Sequence, residues 1–266
     1  MTEVFSSEFM QKALLVGIVV SLISGFVSTF VVLRKMSFIG AGISHAAFGG
    51  VAIGFFTGIN PTVTAIIYSI AVAFGIEFVS RRGKISSDTA IGIFFASSMA
   101  LGIVLISLSR EYTVDLFGYL FGNILAITTG EVLLSVSIGV LVIGSILLFL
   151  KEIFITTYNE DIARVSGIPV RAINILFLLL LAVSIVISMK IVGIILISAL
   201  LVIPGATAQL FSKNLFVMIA ASCGTAVIST ILGLVLSYEF DIAPGGCIVL
   251  TATAIFLAAL LFKRRR

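Results

Sequence analysis

The chain has 266 residues, of which 60% are hydrophobic and only 11% are charged. Its mean hydropathy of +1.30 excludes a water-soluble globular domain of this size. Long apolar segments recur from end to end, so the sequence predicts an all-α protein that crosses the membrane many times. The formal net charge of +4 comes from basic residues at the ends of these segments, which indicates membrane orientation and no binding of nucleic acid.

Three basic clusters set the predicted topology. Residues 34–35, 81–84 and 263–266 are each expected to face the cytoplasm, because cytoplasmic loops are enriched in Lys and Arg. An Asn-Pro pair at residues 60–61 interrupts the apolar sequence between the first two clusters and predicts a turn on the outer side. These signals place the N-terminus outside and the C-terminus in the cytoplasm.

About nine spans, within a range of eight to ten, satisfy every basic cluster. Lys190 is an exception to the charge rule, because it falls at the outer face. Residues 110–131 are too polar for a span and predict an outer-side or re-entrant helix. The predicted spans are residues 9–33, 38–58, 62–80, 88–109, 131–150, 171–189, 191–211, 215–238 and 246–262.

The second predicted span contains His45, the only histidine of the chain. A helix rises about 1.5 Å per residue, which puts this side chain near the middle of the bilayer. Two interpretations are open: a neutral imidazole that fixes helix packing, or a ligand or relay on a transport path. Small residues dominate its helix face and favour close packing inside a bundle; they are Ala41, Gly42, Gly49 and Ala52.

The main polar cytoplasmic loop covers residues 156–174. Asn159 before two acidic residues predicts a helix start, and Gly167 with Pro169 predicts its end. A short helix of about two turns is therefore expected on the cytoplasmic surface, within the loop at about 157–169. It is either an ordinary connection or a docking element for a soluble partner.

Pro204 and Gly205 interrupt the apolar segment 192–211. A helix broken in this way frees backbone carbonyls at membrane depth, which is tolerated where the backbone lines a cavity or packs against protein. Both a role in translocation and a simple kink are compatible with the sequence.

Six segments, taken together and in order, resemble the membrane permeases of the zinc, manganese and iron uptake ABC transporters. The resemblance covers nearly the whole chain and is most specific in the Ser-His pair of the second span and in the sequence SALLVIPGATAQ. The matching segments are residues 34–54, 86–107, 120–128, 159–174, 192–210 and 236–250.

The resemblance implies a single transmembrane permease domain over residues 1–266, similar to type II ABC importers and working as a homodimer. Two cytoplasmic ATPase subunits would lie beneath it, and an extracellular or periplasmic metal-binding protein would deliver the cargo. That cargo would be a divalent transition metal, namely zinc, manganese or iron. The implied location is the plasma membrane of a prokaryote.

The resemblance also implies roles for particular residues. His45 would belong to an intramembrane metal site, and the segment 159–167, in the loop at about 157–169, would couple the permease to the ATPase. The coupling residues would be Glu160, Asp161, Ala163 and Gly167, and the residues along the translocation path would be Ser44, Gly49, Pro204 and Gly205.

The sequence departs from the family pattern beside the histidine. Family members usually carry an aspartate four residues before it, where both side chains share one helix face, but this chain has Ala41. A second histidine is also absent from the sequence. Glu239 and Asp241, in the predicted outer loop, are the nearest oxygen donors to an entrance, and they are equally explained as solvated loop charges. The metal is therefore not specified.

Other classes of function are compatible with parts of the sequence. A permease for a metal chelate or another small solute would need a wider path, and a stand-alone secondary metal transporter would need more intramembrane carboxylates. A membrane scaffold would not explain the coupling-type loop. The chain lacks the phosphate-binding motif GxxxxGK[ST], so ATP would be hydrolysed by a separate subunit, and we expect neither enzymatic activity nor a bound cofactor.

Overall fold

The computed structural model describes residues 8–108, 122 and 128–264, and all the regular elements in these ranges are helices. They are numbered in chain order as α1 (Glu8–Leu33), α2 (Ile39–Thr57), α3 (Pro61–Gly83), α4 (Ser87–Leu108), α5 (Thr129–Leu148), α6 (Leu150–Tyr158), α7 (Glu160–Val165), α8 (Val170–Val192), α9 (Ile194–Leu200), α10 (Ile203–Gln209), α11 (Leu215–Phe240) and α12 (Pro244–Arg264).

Eight of these helices are long and apolar enough to span a membrane, and they confirm eight of the nine predicted spans. The ninth, at 191–211, is divided into α9 and α10. Gly193, with φ 83°, separates α9 from α8, and Pro204 lies in the first turn of α10, where its missing N–H is not needed. The helix predicted at 110–131 falls outside the described residues, apart from Gly122 and the segment from 128 onwards.

The helix with the histidine lies at the centre of the bundle. Helix α2 packs between α3 and α4, and α8 and α9 also contact it. Helices α1, α2 and α8 are largely buried, whereas α4, α5 and α12 leave most of their apolar surface exposed. The three buried helices therefore form the core, and the exposed helices supply surfaces for lipid or for another chain.

A second group of contacts joins α1 to helices near the end of the sequence. Hydroxyl groups and glycine backbones form these contacts, which replace bulky packing and let the helices approach closely. We call them the serine seam. Its hydrogen bonds join the hydroxyls of Ser21 and Thr230 at 2.6 Å, the Ser222 hydroxyl to the Gly25 carbonyl at 2.6 Å, and the Gly205 N–H to the Ser28 hydroxyl at 2.9 Å.

Charged side chains mark the two ends of the bundle. At one end Lys190 forms an ion pair of 2.8 Å with Glu131 on α5, so the lysine that departs from the charge rule has an acidic partner. The opposite end carries most of the arginines. We call it the basic end, and its arginines include Arg34, Arg81, Arg82, Arg164 and Arg171.

Candidate metal-permeation site

Glycines allow α2 to approach its neighbours at backbone distance. A Cβ atom at Gly49 would lie 2.8 Å from the carbonyl oxygen of Ser98 on α4, and one at Gly50 would lie 2.7 Å from the Cα of Ala65 on α3. These distances are shorter than real Cβ contacts. The small-residue pattern of the sequence is therefore confirmed as a packing surface, and Gly49 lies on the side that faces α4.

His45 is half-buried on α2 and faces α4. Its Nδ1 lies 2.8 Å from the carbonyl oxygen of Ala41, and its ring centroid lies 4.6 Å from that of Phe95. A carbonyl oxygen only accepts, so Nδ1 carries the hydrogen and donates it. In the neutral imidazole the lone pair is consequently on Nε2, which is the atom available to a metal ion.

Ala41 occupies the position at which the resemblance implies an aspartate. Its backbone carbonyl takes the hydrogen bond from His45 in place of a carboxylate. Histidines that ligate metals usually donate their other ring N–H to a carboxylate, a backbone carbonyl or water, which fixes the ring and the tautomer. The imidazole is thus oriented by an uncharged partner, the carbonyl of Ala41.

Ser44 lies on a different side of α2 from its neighbour His45. Its hydroxyl is buried, donates to the Gly40 carbonyl and lies 3.2 Å from the hydroxyl of Ser198 on α9. Ser198 in turn donates to the carbonyl of Ile194 at 2.8 Å. Ser44 therefore contacts α9, the first part of the segment that is divided into α9 and α10, through a pair of hydroxyl groups.

Pro204 and Gly205 begin α10, and both are buried. The N–H of Gly205 donates to Ser28 on α1, and a Cβ at this glycine would lie 2.5 Å from the Ser28 carbonyl oxygen. Gly205 thus packs α10 against α1. The role of Pro204 and Gly205 in translocation stays a prediction.

Glu239 and Asp241 are exposed at the end of α11. Asp241 ends that helix in a left-handed conformation, with φ 52°, and its N–H donates to the Ser237 carbonyl. Across the described ranges there is no group of three or more His, Cys, Asp or Glu side chains that could hold a metal ion, so these carboxylates do not join His45 in such a group. Their place at an entrance stays a prediction.

The short helix predicted in the polar loop is confirmed as α7. The Asn159 side chain accepts hydrogen bonds from the N–H groups of Asp161 and Ile162, at 2.8 and 3.1 Å, and so caps its start. Gly167, with φ 77°, ends it, and the N–H of Ile168 donates back to the Ala163 carbonyl at 3.0 Å. Gly167 is thus a helix terminator.

The four predicted coupling residues have different surroundings. Ala163 is fully buried, whereas Glu160 and Asp161 form ion pairs with Arg164 at 3.0 and 3.1 Å. The exposed apolar side chains of α7 are instead Ile162 and Val165, which are 52% and 91% exposed. Both side chains are accessible from outside the bundle. Neither side chain was predicted from the sequence as a docking residue.

A hydrogen-bonded network at the basic end connects α7 to the central helices. Glu160 accepts from the Asn174 amide on α8 at 2.9 Å, and the amide oxygen of Asn174 accepts from Arg34 at 2.8 Å. Arg34 also donates to the Thr157 hydroxyl at 2.9 Å, and its guanidinium carbon lies 4.4 Å from the Phe177 ring centroid. Hydrogen bonds through Asn174 therefore connect Arg34, in the loop between α1 and α2, to Glu160, the first residue of α7.

Arg34 keeps its charge despite its surroundings. Burial lowers the pKa of its guanidinium to about 10, while the nearby carboxylates of Glu160 and Glu77 raise it. The group thus stays protonated at neutral pH. The network borders a cavity of about 450 Å³, which Arg34, Glu77, Arg81, Thr157, Glu160 and Asn174 help to line.

Arg34 was a signal for topology and for the family resemblance, and its contacts were not predicted from the sequence. Arg34 and Asn174 are 140 residues apart, so no local pattern joins them. The available signal was a polar Asn close to the start of an otherwise apolar span. A buried amide needs hydrogen-bonding partners, which points to a network without naming its members.

The fold and site define a class, namely multi-pass helical membrane proteins with a histidine in a central helix and a short capped helix outside the spans. The chain belongs to the ABC 3 transport family, whose model matches residues 6–263. It is 41% identical to the manganese transport system membrane protein MntC of Listeria innocua, over 97% of this chain and 92% of that protein.

Two further comparisons agree with this family. The high-affinity zinc uptake system membrane protein ZnuB of Haemophilus influenzae is 37% identical over 97% of this chain and 99% of its own. The solved structure of PsaBC from Streptococcus pneumoniae, in complex with a Fab, superposes with a TM-score of 0.86 and 38% identity. That match covers 97% of this chain and 93% of the PsaBC chain.

Proposed function

We propose that this chain is the membrane permease subunit of an ATP-driven importer for a divalent transition metal ion. Membership of the ABC 3 transport family and the names of the manganese and zinc relatives support this proposal. The observation that carries it is the orientation of His45, whose Nδ1–H is held by a backbone carbonyl while Nε2 keeps a lone pair. A single imidazole gives a transient site that both accepts and releases an ion.

Manganese is the cargo that we propose in preference to zinc. Zinc sites in proteins are dominated by Cys and His ligands, whereas Mn²⁺ also takes carboxylate, carbonyl and water oxygens. The chain has one histidine, which supplies too few nitrogen ligands for a site of the zinc type. An uptake assay in which zinc, manganese and iron compete tests this choice, and a preference for zinc would contradict it.

The proposed assembly contains two copies of the permease, two cytoplasmic ATPase subunits and an extracellular or periplasmic metal-binding protein. It lies in the plasma membrane of a prokaryote, with the N-terminus outside and the basic end in the cytoplasm, as the charge pattern predicts. Helix α7 docks on the ATPase through Ile162 and Val165. Glu160 then transmits the movement to α8, and through Asn174 to Arg34.

The central experiment measures manganese uptake into proteoliposomes that contain the permease and its ATPase. We expect uptake to require ATP, and His45→Ala to reduce it about tenfold or more, since a lost partner at a metal site costs at least that much. The melting temperature of the purified variant is measured in parallel, because a histidine that only packs would lower stability and leave uptake intact.

His45→Gln is the matched control for packing. Its side-chain amide is able to donate to the Ala41 carbonyl, but it lacks the imidazole nitrogen that binds transition metals well. We expect this variant to be folded and deficient in uptake. Wild-type uptake by His45→Gln would overturn the metal-ligand role, and uptake without ATP would favour a secondary transporter.

A further inference from the structure

A groove at the basic end runs between α3 and α8. It consists of two adjoining cavities of about 560 and 480 Å³, which share Arg81, Arg171 and Ile175. The wall toward the middle of the span is apolar, and Phe74 and Phe78 on α3 line it. Phe74 is 45% exposed and Phe78 is 55% exposed, so this wall is accessible from outside the bundle.

Four arginines lie around the groove, and among the described residues two of them have acidic partners. Arg81 pairs with Glu77 and lies 3.5 Å from Glu160, and Arg164 pairs with Glu160 and Asp161. Arg82 and Arg171 are exposed, and neither forms an ion pair within the part of the chain that the structure describes. The guanidinium carbon of Arg82 lies 5.7 Å from the Phe78 ring centroid. The groove therefore combines uncompensated positive charge with an apolar wall.

We propose that this groove binds one anionic phospholipid of the surrounding leaflet. Arg82 and Arg171 would bind the phosphate and its headgroup, and an acyl chain would lie along Phe74 and Phe78. Planar guanidinium groups suit phosphate oxygens, and basic pockets between transmembrane helices are suited to anionic headgroups. A zwitterionic lipid brings no net negative charge, and free phosphate makes no use of the apolar wall. The proposal does not depend on which ion the protein transports.

The test uses the full-length chain in nanodiscs of phosphatidylcholine with increasing phosphatidylglycerol. Retained lipid is counted by native mass spectrometry after release, and the melting temperature is measured at each composition. We expect one phosphatidylglycerol to be retained and to raise the melting temperature. The Arg82→Gln/Arg171→Gln variant should need about tenfold more of this lipid for the same effect, because it loses two charge-assisted contacts.

Matched variants distinguish an effect of the groove on lipid retention from a general effect of positive charge. Lys151→Gln/Lys213→Gln removes the same charge from exposed positions outside the groove and should behave like the wild type. Phe78→Ala keeps both arginines but removes part of the apolar wall, and it should weaken lipid retention without abolishing it.

Three results would overturn the proposal. The first is equal retention of phosphatidylglycerol by the wild type and the double arginine variant. The second is the same stabilisation by inorganic phosphate alone, which would assign the arginines to a simple anion site. The third is loss of ATPase association in the double arginine variant with unchanged lipid retention, which would make the groove a protein-docking surface.

Discussion

The carbonyl oxygen of Ala41 orients His45 without contributing a charge. A carboxylate at this position would share the helix face of the imidazole and would add a second strong ligand. Because release is as necessary for transport as entry, a weak site is compatible with fast passage. The proposed metal-permeation site would thus have one strong ligand in place of two.

Ala41→Asp should convert the site from transient to tight. We expect the variant to bind Mn²⁺ or Zn²⁺ measurably in isothermal titration calorimetry and to transport more slowly than the wild type, since both ligands then lie on one face of α2. Adding His45→Ala to Ala41→Asp should abolish the new affinity. Binding that persists in the double variant would show that the aspartate acts alone.

At the scale of the helices, glycines of α2 permit a neighbouring helix to approach without a side chain between the two backbones. Gly50→Ala should destabilise the protein by about 1–3 kcal/mol, as expected for overpacking a tight contact. Thermal unfolding in detergent measures the effect. Gly92→Ala on α4 is the control, since a Cβ there meets nothing within 4 Å; equal melting temperatures for the two variants would contradict the prediction.

Arg34 joins elements that are far apart in the sequence. Arg34→Met removes two charge-assisted hydrogen bonds and should cost about 2–4 kcal/mol of folding stability. Arg34→Lys keeps the charge but not the planar guanidinium group. Its folding stability should therefore lie between those of the wild type and Arg34→Met. Lys35→Gln, at the exposed neighbouring position, should change the stability little.

The same variants probe coupling. If Glu160, Asn174 and Arg34 transmit movement from α7, Arg34→Lys should raise the ATP hydrolysed per ion imported in proteoliposomes, even where the complex assembles normally. An unchanged ratio alongside lower stability would restrict Arg34 to a structural role.

Much of the element scale could be predicted from the sequence. Apolar length and basic clusters located eight spans, and Asn159 with Gly167 located α7. Hydropathy did not separate α9 from α10, because residues 201–202 are apolar, and Pro204 was the signal for the break, which lies just before it. The contacts of Arg34 and of the serine seam join distant parts of the chain, and local periodicity carries no information about such pairs.

At the scale of the whole molecule, the orientation in the membrane is open to a direct test. Lys213 and Glu239 are exposed near opposite ends of α11, which at about 1.5 Å per residue is long enough to cross the bilayer. In a background with Cys223→Ser, Glu239→Cys should react with an impermeant maleimide on intact cells. Lys213→Cys should react only after permeabilisation, and the reverse pattern would invert the proposed topology.

The ion pair between Lys190 and Glu131 makes a second prediction at this scale. Lys190→Glu should lower stability by about 1 kcal/mol or less, since partly exposed pairs contribute little. Exchange of the two charges in Lys190→Glu/Glu131→Lys should restore most of the loss in thermal unfolding. If the double variant is as unstable as Lys190→Glu, the groups around the ion pair, and not the pair itself, determine the loss of stability.

The serine seam has a consequence for how the protein is made. Its hydrogen bonds join residues 177 to 209 positions apart. At about 5–20 residues per second, a ribosome needs about 10–40 s to synthesise that interval. Helix α1 therefore enters the bilayer long before α10 and α11 exist, and its hydroxyls must be shielded meanwhile by the insertion machinery or by transient partners. Nascent chains that stop before α10 should consequently be the forms most exposed to membrane proteases.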